Sequence, residues 1–113
     1  MALKYKVAKT FKAPVDVVLP DGSKGQFTAE FLYMNREEFE DMASRNMNDS
    51  QVLDHILKGV TDIKDEDTGD FYPSEVQLNI VKTDIAMGAA AVRTFMDRLS
   101  GEQKGNLRRS LAR

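Results

Sequence analysis

The first third of the chain shows a strand pattern, in which apolar residues alternate with polar ones. Residues 5–11 and 15–19 are rich in the β-branched and aromatic side chains that favour strands. Pro14 lies between these runs and cannot donate a ladder hydrogen bond. The first run is therefore expected to be an edge strand or an arm.

A turn and another strand follow. Residues 20–25 combine Pro, Asp and two Gly, with Asp21-Gly22 at the centre, which is a strong signal for a hairpin turn. Alternation then runs over residues 26–34 and puts four apolar side chains on one face: Phe27, Ala29, Phe31 and Tyr33. We therefore predict a β-hairpin of residues 15–19 and 26–34, with this face on the core.

From residue 35 the apolar period becomes helical. Asn35 is followed by Glu38 at capping-box spacing, and a second helix is expected to begin near Asn48 or Asp49. The apolar stripes are Phe39, Met42 and Ala43 in the first helix, and Val52, Leu53, Ile56 and Leu57 in the second. Gly59 is expected to end the second helix in a left-handed conformation.

Two more helices are predicted after an acidic segment. Residues 60–73 form either a loop or a short two-stranded turn, after which Ser74 is expected to cap a third helix, with Gln77 three residues on. A fourth and longer helix begins at Thr83 or Asp84, unless the third and fourth are one bent helix. Its apolar stripe comprises Ile85, Gly88, Ala89, Val92, Phe95, Met96 and Leu99.

The end of the chain is predicted to be a basic tail. Ser100-Gly101 is expected to stop the fourth helix, and residues 102–113 hold four basic residues and one acidic residue. We therefore divide the chain into a single domain, residues 1–101, and a flexible tail, residues 102–113. The fold class is α+β, an N-terminal β-hairpin packed on a small bundle of three to four helices. The predicted core is Val17, Leu19, Phe27, Phe31, Phe39, Leu53, Ile56, Leu57, Ile80, Ile85, Val92, Phe95 and Leu99.

Composition and charge limit the compartments and the classes of partner that the protein can have. The chain has 113 residues and no cysteine, which indicates one domain with its own core in a reducing compartment. No apolar run is long enough for a membrane span, so no membrane partner is expected. Net charge is +3 over residues 1–29, −8 over residues 30–70 and +3 over residues 71–113. The acidic middle argues against nucleic acid and suits protein partners, or self-association of basic ends with acidic middles.

No residue pattern predicts catalysis or a cofactor. His55 is the only histidine and is interpreted as a surface or boundary residue. The acidic segment does not match the ligand spacing of a calcium loop, whether it is counted from Asp62 or from Asp65. We therefore expect a protein that is not an enzyme and that binds no metal or cofactor.

Two features suggest contact with a partner. Residues 88–91 are all small, so another helix could approach there, although packing inside the domain is the favoured interpretation over an oligomer contact. The tail mixes leucine with basic residues at Lys104, Leu107, Arg108, Arg109 and Leu111. It is either a docking peptide that folds on a partner or a frayed, solubilising terminus.

The run over residues 56–74 has a distinctive order. A helix end is followed by an acidic turn around Gly69 and then by Pro73 and Ser74. This order resembles the middle of the tail assembly chaperones of long-tailed phages and prophages. The hairpin with Pro20-Asp21-Gly22, the helix with Glu37-Glu38-Phe39, Phe95 in the last helix and the basic run Lys104-Gly105-Asn106 also resemble that family.

The resemblance implies a function and partners. Proteins of that family bind the long, helical tape measure protein in the host bacterial cytoplasm, keep it soluble and help to recruit tail tube subunits around it. A homo-oligomer is compatible with this role. The alternative function is a structural head–tail or tail-completion protein that is retained in the virion.

We expect the client to bind the last predicted helix together with the tail. A tape measure protein exposes long apolar helical faces, and an apolar groove between helices is the natural site for such a helix. The predicted contact residues are Val92, Phe95, Met96, Lys104, Arg108 and Arg109.

Overall fold

A computed structural model describes the backbone of residues 9–111 and the side chains of residues 9–99. The fold is α+β, as predicted, and its elements in chain order are β1 (Thr10–Val18), β2 (Lys24–Leu32), α1 (Arg36–Ser44), α2 (Asp49–Ile56), β3 (Leu57–Thr61), α3 (Ser74–Thr83) and α4 (Ile85–Leu111). The three strands form one antiparallel sheet in the order β1-β2-β3. The part of the first predicted run that precedes residue 9 lies outside the described residues.

The hairpin of β1 and β2 confirms the predicted turn. Its register places Phe11 opposite Phe31 and Val15 opposite Phe27. The turn is closed by the Gly22 N–H, which donates to the Leu19 carbonyl at 2.8 Å, and Gly22 has a φ of 88° that favours glycine. The strand β1 continues through Pro14, which is tolerated because β1 lies at the edge of the sheet.

The strand β3 was not predicted. It pairs antiparallel with β2 and places Gly59 opposite Glu30 and Val60 opposite Ala29. Gly59 therefore does not end α2 in a left-handed conformation, and that prediction is wrong. Leu57 and Val60 are both buried in this strand, so burial and pairing with a distant strand decide the local backbone.

The first two helices begin as the cap residues predict. The Asn35 side chain accepts a hydrogen bond from the Glu38 N–H at 2.9 Å, and the Glu38 carboxylate accepts one from the Asn35 N–H at 3.2 Å. Asn48 and Gln51 form the same reciprocal pair at the start of α2. Each pair satisfies two backbone donors that a helix terminus leaves without partners.

The third helix begins differently from the prediction. Ser74 is its first residue, and Pro73 in the cap position makes no side-chain hydrogen bond. Gln77 is 4% exposed and reaches into the preceding segment: its Oε1 accepts from the Ile63 N–H at 2.9 Å, and its Nε2 donates to the Tyr72 carbonyl at 2.6 Å. These two hydrogen bonds hold residues 63–72, which form a turn, against α3.

The sequence allowed either a loop or a short two-stranded turn over residues 60–73, and the structure has the two-stranded turn. Lys64 and Phe71 form an antiparallel bridge, and the Tyr72 N–H donates to the Ile63 carbonyl at 3.1 Å. The Lys64 ammonium lies 4.9 Å from the centre of the Phe71 ring. At its tip, the Asp65 carboxylate accepts a hydrogen bond from the Asp67 N–H at 2.8 Å.

The third and fourth helices are separate elements. Asp84 between them has an extended backbone, with φ −88° and ψ 124°, and its carboxylate accepts a hydrogen bond from the Met87 N–H at 2.9 Å. The predicted stop at Ser100-Gly101 is wrong, because α4 continues to Leu111. Gly101 and Gly105 each cost the helix about 1 kcal/mol, but most of the other residues after Ser100 are good helix formers. The division into a domain and a tail at residue 102 stays a prediction.

The core lies between one face of the sheet and the helices. Most of the predicted core is buried or half-buried, but Ile85 is 90% exposed and does not belong to it. Tyr33 is also misassigned, since β2 ends at Leu32 and Tyr33 is 42% exposed, while the adjacent Met34 is buried. The fully buried large side chains are Phe27, Phe31, Phe95, Ile56, Val15 and Val81.

The small residue Gly88 packs inside the domain. A Cβ at this position would lie 2.9 Å from Leu53 Cδ1 and 3.2 Å from the Val81 carbonyl oxygen. The helix α4 therefore approaches α2 and α3 closely because Gly88 has no side chain. The prediction that this small residue packs inside the domain is confirmed for Gly88.

We predict that Gly88→Val lowers the free energy of unfolding by about 1–2 kcal/mol. The overpacking penalty is larger than the small gain in helix propensity over glycine. Urea denaturation measures the change. Gly25→Val is the matched control, because Gly25 has no left-handed φ and no heavy atom within 4 Å of an added Cβ. Equal losses in both variants would contradict the packing assigned to Gly88.

Candidate partner-binding surface

The contact residues predicted on α4 have different environments. Phe95 is wholly buried, with its ring centre 5.5 Å from that of Phe31, 6.2 Å from Phe11 and 6.4 Å from Phe39. Phe95 therefore belongs to the core and does not lie at the surface. Val92 and Met96 are half-buried, so part of each side chain remains accessible.

The basic residues predicted to bind a partner lie on the distal part of α4. Lys104, Arg108 and Arg109 fall within the continuous helix Ile85–Leu111, and their side chains lie outside the described residues. At about 1.5 Å per residue, the twelve residues after Leu99 extend the helix axis by about 18 Å. The half-buried residues and the basic residues are thus on one helix.

A groove beside α1 was not predicted. It has a volume of about 510 Å³ and is lined by Tyr33, Met34, Asn35, Arg36, Phe39, Glu40 and Leu99. The segment that follows β2, the start of α1 and α4 form its walls. We call this surface the α1 groove. Its lining is mixed: Tyr33, Met34, Phe39 and Leu99 are apolar or aromatic, a composition that can accept an apolar side chain or helix, and the other three residues are polar or charged.

The position of the α1 groove follows from the aromatic cluster beneath it. Phe39 on α1 packs against Phe95, and Tyr33 meets Phe11 edge to face at a centroid distance of 6.3 Å. These contacts hold α1 against the sheet and α4 while leaving Tyr33 and Phe39 partly accessible. No sequence signal marked this surface, because Tyr33 continues the alternation of the predicted strand, and only the end of β2 at Leu32 shows that it leaves the core face.

Two charged side chains of opposite sign line the α1 groove, Arg36 and Glu40. The helix α1 carries four acidic residues and one arginine, Arg36. Asp41 pairs with Arg45 at 2.8 Å, whereas Glu37 and Glu40 form no ion pair with any residue whose side chain is described. The charged lining of the groove itself therefore sums to about zero, and the acidic character belongs to the rest of α1.

Another groove lies where α3 meets α4. It has a volume of about 290 Å³ and is lined by Asp49, Ser50, Leu53, Lys82, Thr83, Asp84, Ile85, Gly88 and Ala89. Lys82 lies 3.6 Å from Asp54 across its edge. Ile85 is almost fully exposed here, but its surroundings are mostly polar. This groove is a weaker candidate for a helical ligand than the α1 groove.

Sites for catalysis or metal binding do not emerge from the described part of the chain. Within it, no group of three or more His, Cys, Asp and Glu residues could hold a metal ion. His55 is exposed, as expected, and lies beside a shallow groove with Asp41 and Arg45. The Ser23 hydroxyl and N–H bind the exposed carboxylate of Asp21 and lower its pKa, which stabilises the hairpin turn and creates no site.

None of the described helices has both the length and the hydropathy to cross a membrane.

A small α+β domain with open, partly apolar grooves and a polar surface has the features of a protein that binds other proteins. The chain belongs to the phage tail assembly chaperone family, whose family model matches residues 1–98. This confirms the family that the resemblance indicated. Searches of curated proteins and of solved structures found no match.

Membership of this family assigns the chain a role as a chaperone in phage tail assembly, with phage tail proteins as its partners in general. The family is generally not enzymatic. The matched region covers every element up to the middle of α4 and ends just before Leu99. The distal part of α4, which carries Lys104, Arg108 and Arg109, lies beyond it.

Proposed function

We propose that the protein binds the tape measure protein in the host bacterial cytoplasm and helps to recruit tail tube subunits around it. The observation that carries the proposal is the family match over residues 1–98. A tape measure protein that is not yet covered by the tube exposes long apolar helical faces, and such faces aggregate in water. A small domain with apolar grooves and many charged residues can cover those faces and keep the complex soluble.

The client is proposed to bind along α4. Val92 and Met96 are half-buried, and Leu99 continues from them into the α1 groove. A helix docked there would contact apolar side chains on one side and the basic distal part of α4 on the other. Affinity at each site can be weak, because many copies on one long client add up to strong overall binding.

Loss of the basic segment should weaken client binding without unfolding the domain. We predict that deletion of residues 102–113, or the triple change Lys104→Glu, Arg108→Glu and Arg109→Glu, reduces recovery of the tape measure protein in a pull-down by about tenfold. The expected loss follows from removal of the positive charges, and folding is expected to persist because these residues lie beyond the region that the family model matches.

A charge-matched triple separates this local effect from a change in net charge. Lys12→Glu, Lys24→Glu and Lys58→Glu alter three exposed lysines of the sheet and should leave client recovery unchanged. Circular dichroism and a thermal melt check that all variants are folded. Full client recovery with the altered C-terminal segment would remove that segment from the proposed site.

A further inference from the structure

The α1 groove opens beside the place where the chain enters β1. The Tyr33 N–H donates to the Lys9 carbonyl at 2.8 Å, and Tyr33 lines the groove. Tyr33 is 42% exposed, so an aromatic side chain at the groove remains open to solvent. The charged lining sums to about zero, so connectivity rather than charge selects an occupant for this surface.

The segment that leads into Lys9, outside the described residues, alternates apolar and basic side chains. Residues 3–7 read Leu-Lys-Tyr-Lys-Val, so the odd positions are apolar or aromatic and the even positions are basic. Successive side chains of an extended chain point to opposite sides, which gives this segment one apolar side. In β1 the odd positions Ala13, Val15 and Val17 are the buried ones. The alternation of residues 3–7 therefore has the same phase as that of β1.

The groove lies within reach of this segment. Phe11, two residues after Lys9, packs against Tyr33 at a centroid distance of 6.3 Å and against Phe95 at 6.2 Å. Phe95 in turn lies 6.4 Å from Phe39, which lines the groove. Five extended residues span about 17 Å, which is longer than two such ring contacts. The chain also bends at Lys9, before β1 begins, so the residues that precede it are not obliged to run straight past the sheet.

Attachment favours this segment over a separate molecule. A segment joined to the edge of its site by one or two residues has an effective concentration of about millimolar, so weak contacts are enough to fill the site. The groove offers the partly accessible Phe39 and Leu99 to apolar side chains. The sequence interpretation of this region as an arm gives the segment no place in the sheet, and the groove supplies one.

We propose that residues 3–7 lie as a strap in the α1 groove of their own molecule. The apolar side of the strap, Leu3, Tyr5 and Val7, faces the apolar and aromatic part of the lining, and its two lysines face solvent. A helical ligand that uses the groove must displace the strap, which lowers the apparent affinity for that ligand. This last step rests on the proposed function, whereas the seating of the strap does not.

Tryptophan fluorescence tests whether the strap is seated, because the chain has no tryptophan of its own. Tyr5→Trp should emit at shorter wavelength, and be quenched less by acrylamide, than Lys6→Trp. The second variant is the matched control, since it places the same probe on the opposite side of the strap. Circular dichroism checks that both proteins are folded. Equal emission and equal quenching at the two positions would overturn the proposal.

Disulfides test where the strap lies, because the chain also has no cysteine. Glu40 lines the α1 groove, whereas Asp41, the next residue of α1, lines the neighbouring shallow groove. Each of Leu3→Cys, Tyr5→Cys and Val7→Cys is combined with Glu40→Cys and, as the control, with Asp41→Cys. Under mild oxidation in dilute solution, at least one Glu40 pair should close about tenfold faster than its Asp41 control. A segment that is not seated would crosslink to both positions at equal rates, and that result contradicts the proposal.

Loss of the apolar side of the strap should strengthen client binding. If the strap fills the groove in about nine-tenths of the molecules, Leu3→Ser with Tyr5→Ser and Val7→Ser should raise the affinity for the tape measure protein about tenfold. Lys4→Ser with Lys6→Ser is the control and should leave the affinity unchanged. Affinity is measured by titration of the co-expressed, then separated, tape measure protein.

The three experiments separate this inference from the proposed function. If neither the wild type nor any variant binds the tape measure protein while fluorescence and disulfides show a seated strap, the proposed client is wrong and the strap stands. If the client binds and the serine triple binds it no more tightly than the wild type, the competition is overturned, and the client contacts α4 outside the groove.

Discussion

Replacing Phe95 with alanine should lower the free energy of unfolding by about 3–5 kcal/mol, which is a large part of the stability of a domain of this size. Phe95 has no exposed surface and packs against the rings of Phe11, Phe31 and Phe39, which come from β1, β2 and α1. Truncation leaves a cavity at the point where these elements meet α4. Urea denaturation followed by circular dichroism measures the loss.

The same substitution at an exposed site is the control. Phe71 is 57% exposed and contacts the Lys64 ammonium, so Phe71→Ala should cost less than about 1 kcal/mol. Comparable losses at Phe95 and Phe71 would show that Phe95 is not the centre of the aromatic cluster. They would also reopen the possibility that Phe95 contacts a client directly.

Replacing Gln77 with leucine should lower the free energy of unfolding by about 2–3 kcal/mol. The leucine side chain fits the volume but leaves the Ile63 N–H and the Tyr72 carbonyl without their partners. An unsatisfied buried group costs more than the net value of the hydrogen bond that it loses. The same variant should speed amide hydrogen exchange at Ile63, because its donor group is no longer held.

Asn79→Leu is the control for Gln77→Leu. Asn79 lies on the exposed side of the same helix, and its side chain makes no hydrogen bond to any described residue. We expect a change of less than about 0.5 kcal/mol at this position. A Gln77→Leu variant as stable as the wild type would show that water replaces the glutamine, and that the 63–72 turn holds its place without it.

Features set by short-range chemistry could be predicted from the sequence. The Asp21-Gly22 turn, the alternation in β2 and the cap at Asn35 depend on residues that are neighbours in the chain. The apolar stripe of α2 likewise identified the buried Leu53. Such features need no knowledge of distant partners, because backbone conformation and amphipathic pattern determine them locally.

Features that depend on distant partners were missed. Val60 lies in β3 because β2 offers a strand to pair with, and Gln77 is buried because two backbone groups of the 63–72 turn need a partner. Ile85 follows the helical stripe of α4 but lies at the first residue of the helix, where no other element covers it. Periodicity gives the face of a residue and not the extent of the neighbouring element.

The candidate surface was predicted only in part. The sequence identified α4 and its basic end, and the structure retains Val92 and Met96 as partly accessible while it places Phe95 in the core. The α1 groove requires residues from the segment after β2, from α1 and from α4 to meet, and no spacing along the chain shows that. The charges of Arg36 and Glu40 were visible in the sequence, but their position beside Leu99 was not.

The most direct measurement combines client capture with the content of the finished particle. The protein is co-expressed with the tape measure protein of the same phage and purified through a tag, and purified virions are analysed by mass spectrometry. The account predicts that the tape measure protein co-purifies in soluble form and that the chaperone is absent from virions. A protein that captures no tape measure protein and is present in virions would instead be a structural head–tail or tail-completion component, which would contradict the proposed function.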